Sequence, residues 1–252
     1  ANAGRKLAVV DLDHCQATLS QALVNREATG RLLKVDLPLP RYVRLTQQSG
    51  ALLSQEIARI GSDCTHVLID VAGGDSPIAR RAIAMADTLV TPVNPSFADL
   101  DLLGQFDATT MRLKRMGHFA QVAMALRGSR EALGIAPADW VVMQNRYRRT
   151  GSSNDARFSE ALRFLARKAG FRLGQGLGER VAYRELFLFG LTHLDLKLIP
   201  HLAKMKAPAK CEIEQLIVDL HLPRAEPRHP ELFDRVAPAP VRRAALREAV
   251  LA

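Results

Sequence analysis

Three short stretches of this chain combine residue types that could do chemistry together. The first is Asp11-Leu12-Asp13, directly after the apolar run Leu7-Ala-Val-Val10. Two carboxylates at a strand end can hold Mg²⁺ through water or orient an attacking water. They can also cap the following helix, and taken alone the pair reads that way. The second is His66-Val-Leu-Ile-Asp70, continued by Val71-Ala72-Gly73-Gly74-Asp75-Ser76-Pro77. An apolar strand ending in Asp is the Walker B arrangement, whose carboxylate reaches the Mg²⁺ shell of a bound nucleotide. Gly73-Gly74 would let the backbone approach a γ-phosphate and act as a switch hinge. A glycine turn before a capped helix explains the same residues equally well. The third is Asn145-Arg146. Asn there could bond a purine edge while Arg stacks on it, or Asn145 could simply turn the chain.

Other motifs are weaker. Gly174-Gln-Gly-Leu-Gly178 has Glu179 where the third glycine of a dinucleotide loop belongs, so a flexible connection is expected. Cys64 and His66 would share a strand face, but no second ligand pair stands nearby, so core packing is expected rather than zinc. No GxSxG nucleophile elbow occurs.

These residues need a scaffold that gathers strand ends. Strand-like runs fall at Leu7–Asp11, 65–70, 88–91, 140–145 and near Phe171. Helix-period segments fall at 51–60, 77–86, 99–113 and 154–169, and Ser76-Pro77 is a good helix start. The alternation predicts an α/β fold: a doubly wound, mostly parallel sheet flanked by helices. Such sheets bind ligands beyond the C-terminal ends of their strands, where the three stretches lie. Thr91–Asp99, after the third run, reads as a stiff polar loop with two prolines. Residues 1–221 are read as one domain. Residues 222–252 are read as a Pro-rich basic tail with a short helix at 241–251.

The 252 residues carry 35 Lys+Arg against 26 Asp+Glu, a net charge of +9. Residues 1–100 are balanced at ten of each sign, whereas 144–172 hold eight basic and two acidic side chains. So localised an excess suggests a polyanion-binding face. No apolar run approaches the ~18 residues of a spanning helix. Three scattered cysteines, Cys15, Cys64 and Cys211, argue against a disulfide scaffold. No secretory apolar core stands at the start, and a cytoplasmic protein is expected. Gly4 reads as the C-cap of a helix with no room to precede it. That predicts a missing upstream helix, with a short disordered leader as the alternative.

Together the stretches resemble the ParA/MinD group of P-loop ATPases, and within it the MipZ-like ATPases that position the bacterial division plane. The resemblance is carried by Ala8-Val-Val-Asp-Leu-Asp13, Ile69-Asp-Val-Ala-Gly-Gly-Asp-Ser76, Thr91-Pro-Val-Asn-Pro-Ser-Phe-Ala-Asp-Leu-Asp101 and Asp139-Trp-Val-Val-Met-Gln-Asn-Arg146. Its most specific part is Gly170-Phe-Arg-Leu-Gly-Gln-Gly-Leu-Gly-Glu-Arg-Val-Ala-Tyr-Arg-Glu-Leu-Phe-Leu-Phe-Gly-Leu-Thr192. The group's defining element is a glycine-rich loop with two lysines, upstream of the Asp11 strand. None of the eight lysines here follows a glycine, so no Gly-Lys pair exists. The first strand and P-loop are therefore expected to be absent. Cys15 stands where Arg is usual, and Val71-Ala72 where Thr-Pro is usual.

The resemblance implies an ATP-dependent homodimer using Mg²⁺. It implies that Asp13, with Asp11, supports hydrolysis and that Asp70 is the Walker B carboxylate, indirect to Mg²⁺. Gly73, Gly74 and Asp75 match the switch, and Asn145 and Arg146 the adenine-side contact. It also implies sequence-independent DNA binding on a nucleoid-associated protein, association with ParB, inhibition of FtsZ and no membrane partner. The basic residues fit that DNA role. Arg157, Arg163, Arg167 and Lys168 share one predicted helix, Arg163 and Arg167 are one turn apart, and Arg172, Arg180 and Arg184 follow. Phe158, Leu162, Leu165 and Ala169 form that helix's apolar stripe, so the charge also reads as its solvated face. A ParA-type partition ATPase and a nucleotide-independent DNA-binding or scaffold protein are the competing readings.

Overall fold

A computed structural model describes residues 5–148, 152–199 and 208–222. The expectations for Gly4 and for the helix at 241–251 lie outside these residues. In chain order the elements are β1 (Leu7–Asp11), α1 (Thr18–Leu33), β2 (Arg41–Arg44), α2 (Gly50–Gly61), β3 (His66–Asp70), α3 (Pro77–Met85) and β4 (Thr88–Val93). Then come α4 (Phe97–Leu100), β5 (Gly104–Phe106), β6 (Leu113–Met116), α5 (His118–Ala132), β7 (Asp139–Tyr147), α6 (Ser153–Ala169), β8 (Arg172–Gly178), α7 (Val181–Leu188) and α8 (Pro208–Asp219).

The parallel strands and flanking helices are as expected, but they form two sheets. One has the order β2-β1-β3, the other β4-β7-β8, and both are parallel. The helices are more continuous than the strands. α2 packs on β1, β2 and β3, α3 packs on α2, and α5 packs on α3. β3 and β4 thus flank α3 in the chain, and each ends its sheet. On these edges Leu68 is 48% and Val90 41% exposed. The amide of Asp139 donates to Asp87 O, so the ladder's alternation turns Leu89, Thr91 and Val93 toward β7 and the backbone of Thr88, Val90 and Pro92 toward the open edge. Proline is tolerated there because no ladder bond is lost.

Each sheet has its own core. Under the first sheet Ala8, Val10 and Leu12 pack with Leu53, Ile57, Ile60, Ile78 and Ala82. Under the second, Trp140 and Val142 pack with Ala120, Ala123, Phe158, Leu162, Leu165 and Phe171. The indole Nε1 of Trp140 donates to Thr91 Oγ1 at 3.0 Å, so this large ring leaves no orphan donor.

Two expectations need correction. The helix at 99–113 does not form: α4 stops at Leu100 and a two-stranded antiparallel hairpin, β5–β6, follows. Asp107 accepts the amides of Thr109 and Thr110, a local turn that competes with helix. Gly104 also sits where a Cβ would come within 2.4 Å of Leu165. Second, 174–178 is no flexible connection but the end of β8, paired with β7. Gly176 has φ +77°, and a Cβ there would lie 2.0 Å from Gln144 O, so glycine permits the close approach at the bulge in that ladder.

Candidate functional site

β1 and β3 run side by side with Asp11 in register with Asp70, so their carboxylates end at one edge of the first sheet. Asp11 is buried and fully engaged. Its Oδ1 accepts the Asp13 amide at 2.9 Å, and its Oδ2 accepts the Ser20 amide at 3.0 Å and the Ser20 hydroxyl at 2.6 Å. Asp11 therefore anchors the first turn of α1 to β1, which is the capping alternative. Asp13 points outward. Its Oδ1 accepts the Cys15 and Gln16 amides, and the Gln16 bond leads the causes that hold its pKa below the ordinary value. Asp70 is half-buried and takes no side-chain hydrogen bond among the described residues. Burial, then the charges of Asp11 and Asp13, push its pKa up. A half-buried carboxylate that feels two other negative charges would be eased by a nearby cation, although among the described residues no three such side chains are arranged to hold a metal ion by themselves.

The turn after β3 is open. No atom lies within 4 Å of where a Cβ would stand on Gly73 or Gly74, and Gly74 has φ +130°. A backbone so bare can admit a ligand oxygen close to its amides. Asp75, next in line, is tied back: Arg80 Nε donates to it at 2.6 Å, and His118 Nε2 lies 2.6 Å away. Those partners hold its carboxyl well below the usual range, the Arg80 bond most. Ser76 then caps α3 by accepting the Ala79 amide at 3.2 Å, with Pro77 at the first helical position, as expected.

The other sequence-derived residues are distributed differently. Asn145 and Arg146 lie on β7, in the second sheet, and no hydrogen bond or ion pair joins them to the carboxylates among the described residues. Arg146 is exposed with φ +53°, beside the register shifts of β7 against β8. Arg157, Arg163, Arg167 and Lys168 are all exposed on α6, while Phe158, Leu162, Leu165 and Ala169 are buried beneath them. Arg184 on α7 is exposed as well. Arg172 and Arg180 are already paired. Arg172 bonds Asp139 at 2.7 Å, and Arg180 bonds the buried Glu212 of α8. Cys64 packs at the edge of the first core and donates its thiol to Ile60 O.

Three groups at or near the site escaped the sequence reading. Ser20 fixes Asp11, His118 fixes Asp75, and Glu212 gathers the Gly178 amide, the Arg180 guanidinium and the Tyr183 hydroxyl. Only Ser20 is close enough in sequence to its partner to have left a signal, as a hydroxyl in the first turn of a helix after Asp11.

Comparison with known proteins identifies the family and the fold. The chain matches the family described as ATPase MipZ over residues 1–224. Among solved structures, the MinC:MinD cell division complex of Aquifex aeolicus matches at 14% identity and a TM-score of 0.50, covering 91% of this chain and 88% of that one. MinD of Pyrococcus horikoshii OT3, complexed with Mg-ADP, matches at 15% identity and a TM-score of 0.49, covering 87% and 85%. The cell division ATPase MinD of Pyrococcus furiosus matches at 18% identity and a TM-score of 0.48, covering 85% and 88%. Among curated proteins none matches the chain. The first structural likeness is one of fold. The family match extends over most of the chain, and this chain belongs to the MipZ family of ATPases.

Proposed function

We propose that this protein serves an ATP-dependent dimeric switch that positions the cell division plane. The observation that supports this most is the carboxylate of Asp70, which takes no side-chain hydrogen bond among the described residues, set beside Asp11 and Asp13 and followed by the bare Gly73-Gly74 turn. Mg²⁺, when bound with nucleotide, would supply charge neutralisation for phosphate oxygens. Asp70 fits the shell of such an ion through water. Asp13, outward-facing and kept ionised, is placed to orient a water, whereas Asp11 holds the strand end in place. Gly73 and Gly74 offer amides to a terminal phosphate, and Asp75 reports on that turn. Asn145 and Arg146 are proposed for the base.

One part does not fit within the 252 residues. They contain no Gly-Lys pair, so the cradle that a P-loop makes for phosphates is not among them. The reading therefore needs that cradle from polypeptide outside these residues. The exposed arginines of α6 support sequence-independent DNA binding, and ParB and FtsZ are the proposed protein partners. The missing Gly-Lys pair favours one further reading, a nucleotide-independent DNA-binding scaffold. A partition ATPase would share the site and differ in partner; loss of FtsZ inhibition with retained ParB stimulation would favour it.

Calorimetric titration with ATP-Mg²⁺ tests the proposal. The 252-residue chain alone is expected to bind ATP far more weakly than micromolar. A form carrying a glycine-lysine turn ahead of β1 is expected to reach micromolar affinity and to dimerise. Micromolar binding by the chain alone would contradict the assignment of the cradle. No binding by the extended form would favour the scaffold.

A further inference from the structure

The Gly73-Gly74 turn is free of steric restraint, yet its far end is held. Asp75 carries two partners. Arg80 belongs to α3, the same chain segment, and moves with it. His118 is different: it is the first residue of α5, 43 positions away, and among the described residues it is the one contact to Asp75 from outside this segment.

The base of that contact is rigid. α5 is preceded by its N-cap Gly117, where a Cβ would lie 2.3 Å from the carbonyl carbon and oxygen of Leu102, so only glycine allows this approach. The Gly117 amide donates to Leu103 O at 2.9 Å, and the Ala120 amide to Leu102 O at 3.2 Å. Leu100 and Leu103 are fully buried in the Trp140 core. The loop before them is closed by Asp99, which accepts the Asn94 amide at 2.9 Å and the Asn94 side chain at 2.8 Å. His118 therefore projects from a fixed helix start beside the second core toward the sterically open turn after β3.

We propose that His118 is the positioning residue of this turn. It latches Asp75 to α5 and sets where Gly73-Gly74 rests when no ligand is bound. The proposal rests on the reading of that turn as the switch of the site. A ligand that draws Gly73-Gly74 toward itself must break or carry the Asp75–His118 contact, so the loop after β4 and the start of α5 sense the turn through one side chain. The contact is exposed, hence modest in strength, which suits a latch that has to open.

Backbone ¹⁵N relaxation at Gly73, Gly74 and Asp75 of the full chain, without nucleotide, tests this, since these amides make no hydrogen bond among the described residues and report motion of the turn directly. His118→Ala is expected to lower their order parameters from the rigid-backbone range to below ~0.6. Order parameters in the Trp140 core should not change. His118→Gln keeps a donor and should recover most of the order. Asp75→Ala should also lower the order parameters, and adding His118→Ala to it should add nothing, because both remove one contact. No change in His118→Ala, additive effects in the double variant, or failure of His118→Gln to recover would each overturn the proposal. If His118→Ala loosens all of α5, the His118→Gln comparison alone decides it. Because no nucleotide is present, a chain that never binds ATP still tests the latch.

Discussion

Three aspartates at the adjoining ends of β1 and β3 end up with different tasks, and their surroundings decide which. Asp11 spends its lone pairs on Ser20 and the Asp13 amide; Asp13 keeps an outward oxygen; Asp70 has no side-chain hydrogen-bond donor among the described residues. The residue pattern Asp-x-Asp could not separate the first two, because the deciding group, Ser20, arrives only when α1 packs its first turn against β1. Asp70 was legible, since an apolar strand ending in Asp states its own location. Its raised pKa has a consequence for stability. Between the unfolded and the folded pKa the native state holds a proton that the unfolded state has released. Stability therefore falls as pH rises through that window, and neutral pH lies on the losing side. Asp70→Asn is expected to raise Tm at pH 7 and to change it less at pH 3, in scanning calorimetry at both values. A lower Tm at pH 7 would mean that Asp70 holds structure instead.

Elements decide which charges are left for partners. Read from sequence, Arg172 and Arg180 belong with Arg163 and Arg167 in one basic face. Folded, β7 and α8 bring Asp139 and Glu212 to the first two, and among the described residues the α6 residues and Arg184 make no ion pair with an acid. Nothing in the local sequence signals this, because Glu212 is 32 positions from Arg180. Arg163→Glu with Arg167→Glu should weaken binding to unrelated DNA sequences about equally and lower the salt slope by about 2, measured by anisotropy over a salt series. Loss at one sequence only would mean base readout. α1 shows the same dependence on distant elements. Arg26 is buried and forms a two-pronged pair with Asp195 at 2.7 and 2.8 Å, while also bonding Pro38 O and Gly190 O. Arg26→Met strands a buried carboxylate and should cost about 3–5 kcal/mol in urea unfolding. Arg26→Met with Asp195→Leu should cost clearly less than that single change. A helix bearing a buried arginine lacks a clean apolar stripe, which is why periodicity alone did not reveal α1.

At the scale of the molecule, strand–helix alternation was enough to foresee parallel sheets with helices around them, and the strand-end pattern to foresee that Asp11 and Asp70 end neighbouring strands. The division into two sheets was not foreseeable from alternation, since periodicity reports which face is buried and not which neighbour is paired. That division matters beyond the site. The β1–α2–α3 core and the Trp140 core share no residue. They are joined by the α3–α5 packing, where buried Arg130 donates to Ala84 O and Ala86 O at 3.1 and 3.0 Å, and by the α1–α7 contact. Two hydrophobic units held by a polar seam need not melt together. Heating the 252-residue chain should give a calorimetric enthalpy larger than the van't Hoff enthalpy, with Trp140 fluorescence following only one of two transitions. A single two-state melt would show that the seam is as strong as either core. If the melts are separate, a ligand contacting both sheets would act on cooperativity as much as on shape. It would fuse two melting units into one, and bound and free forms would differ first in how they come apart.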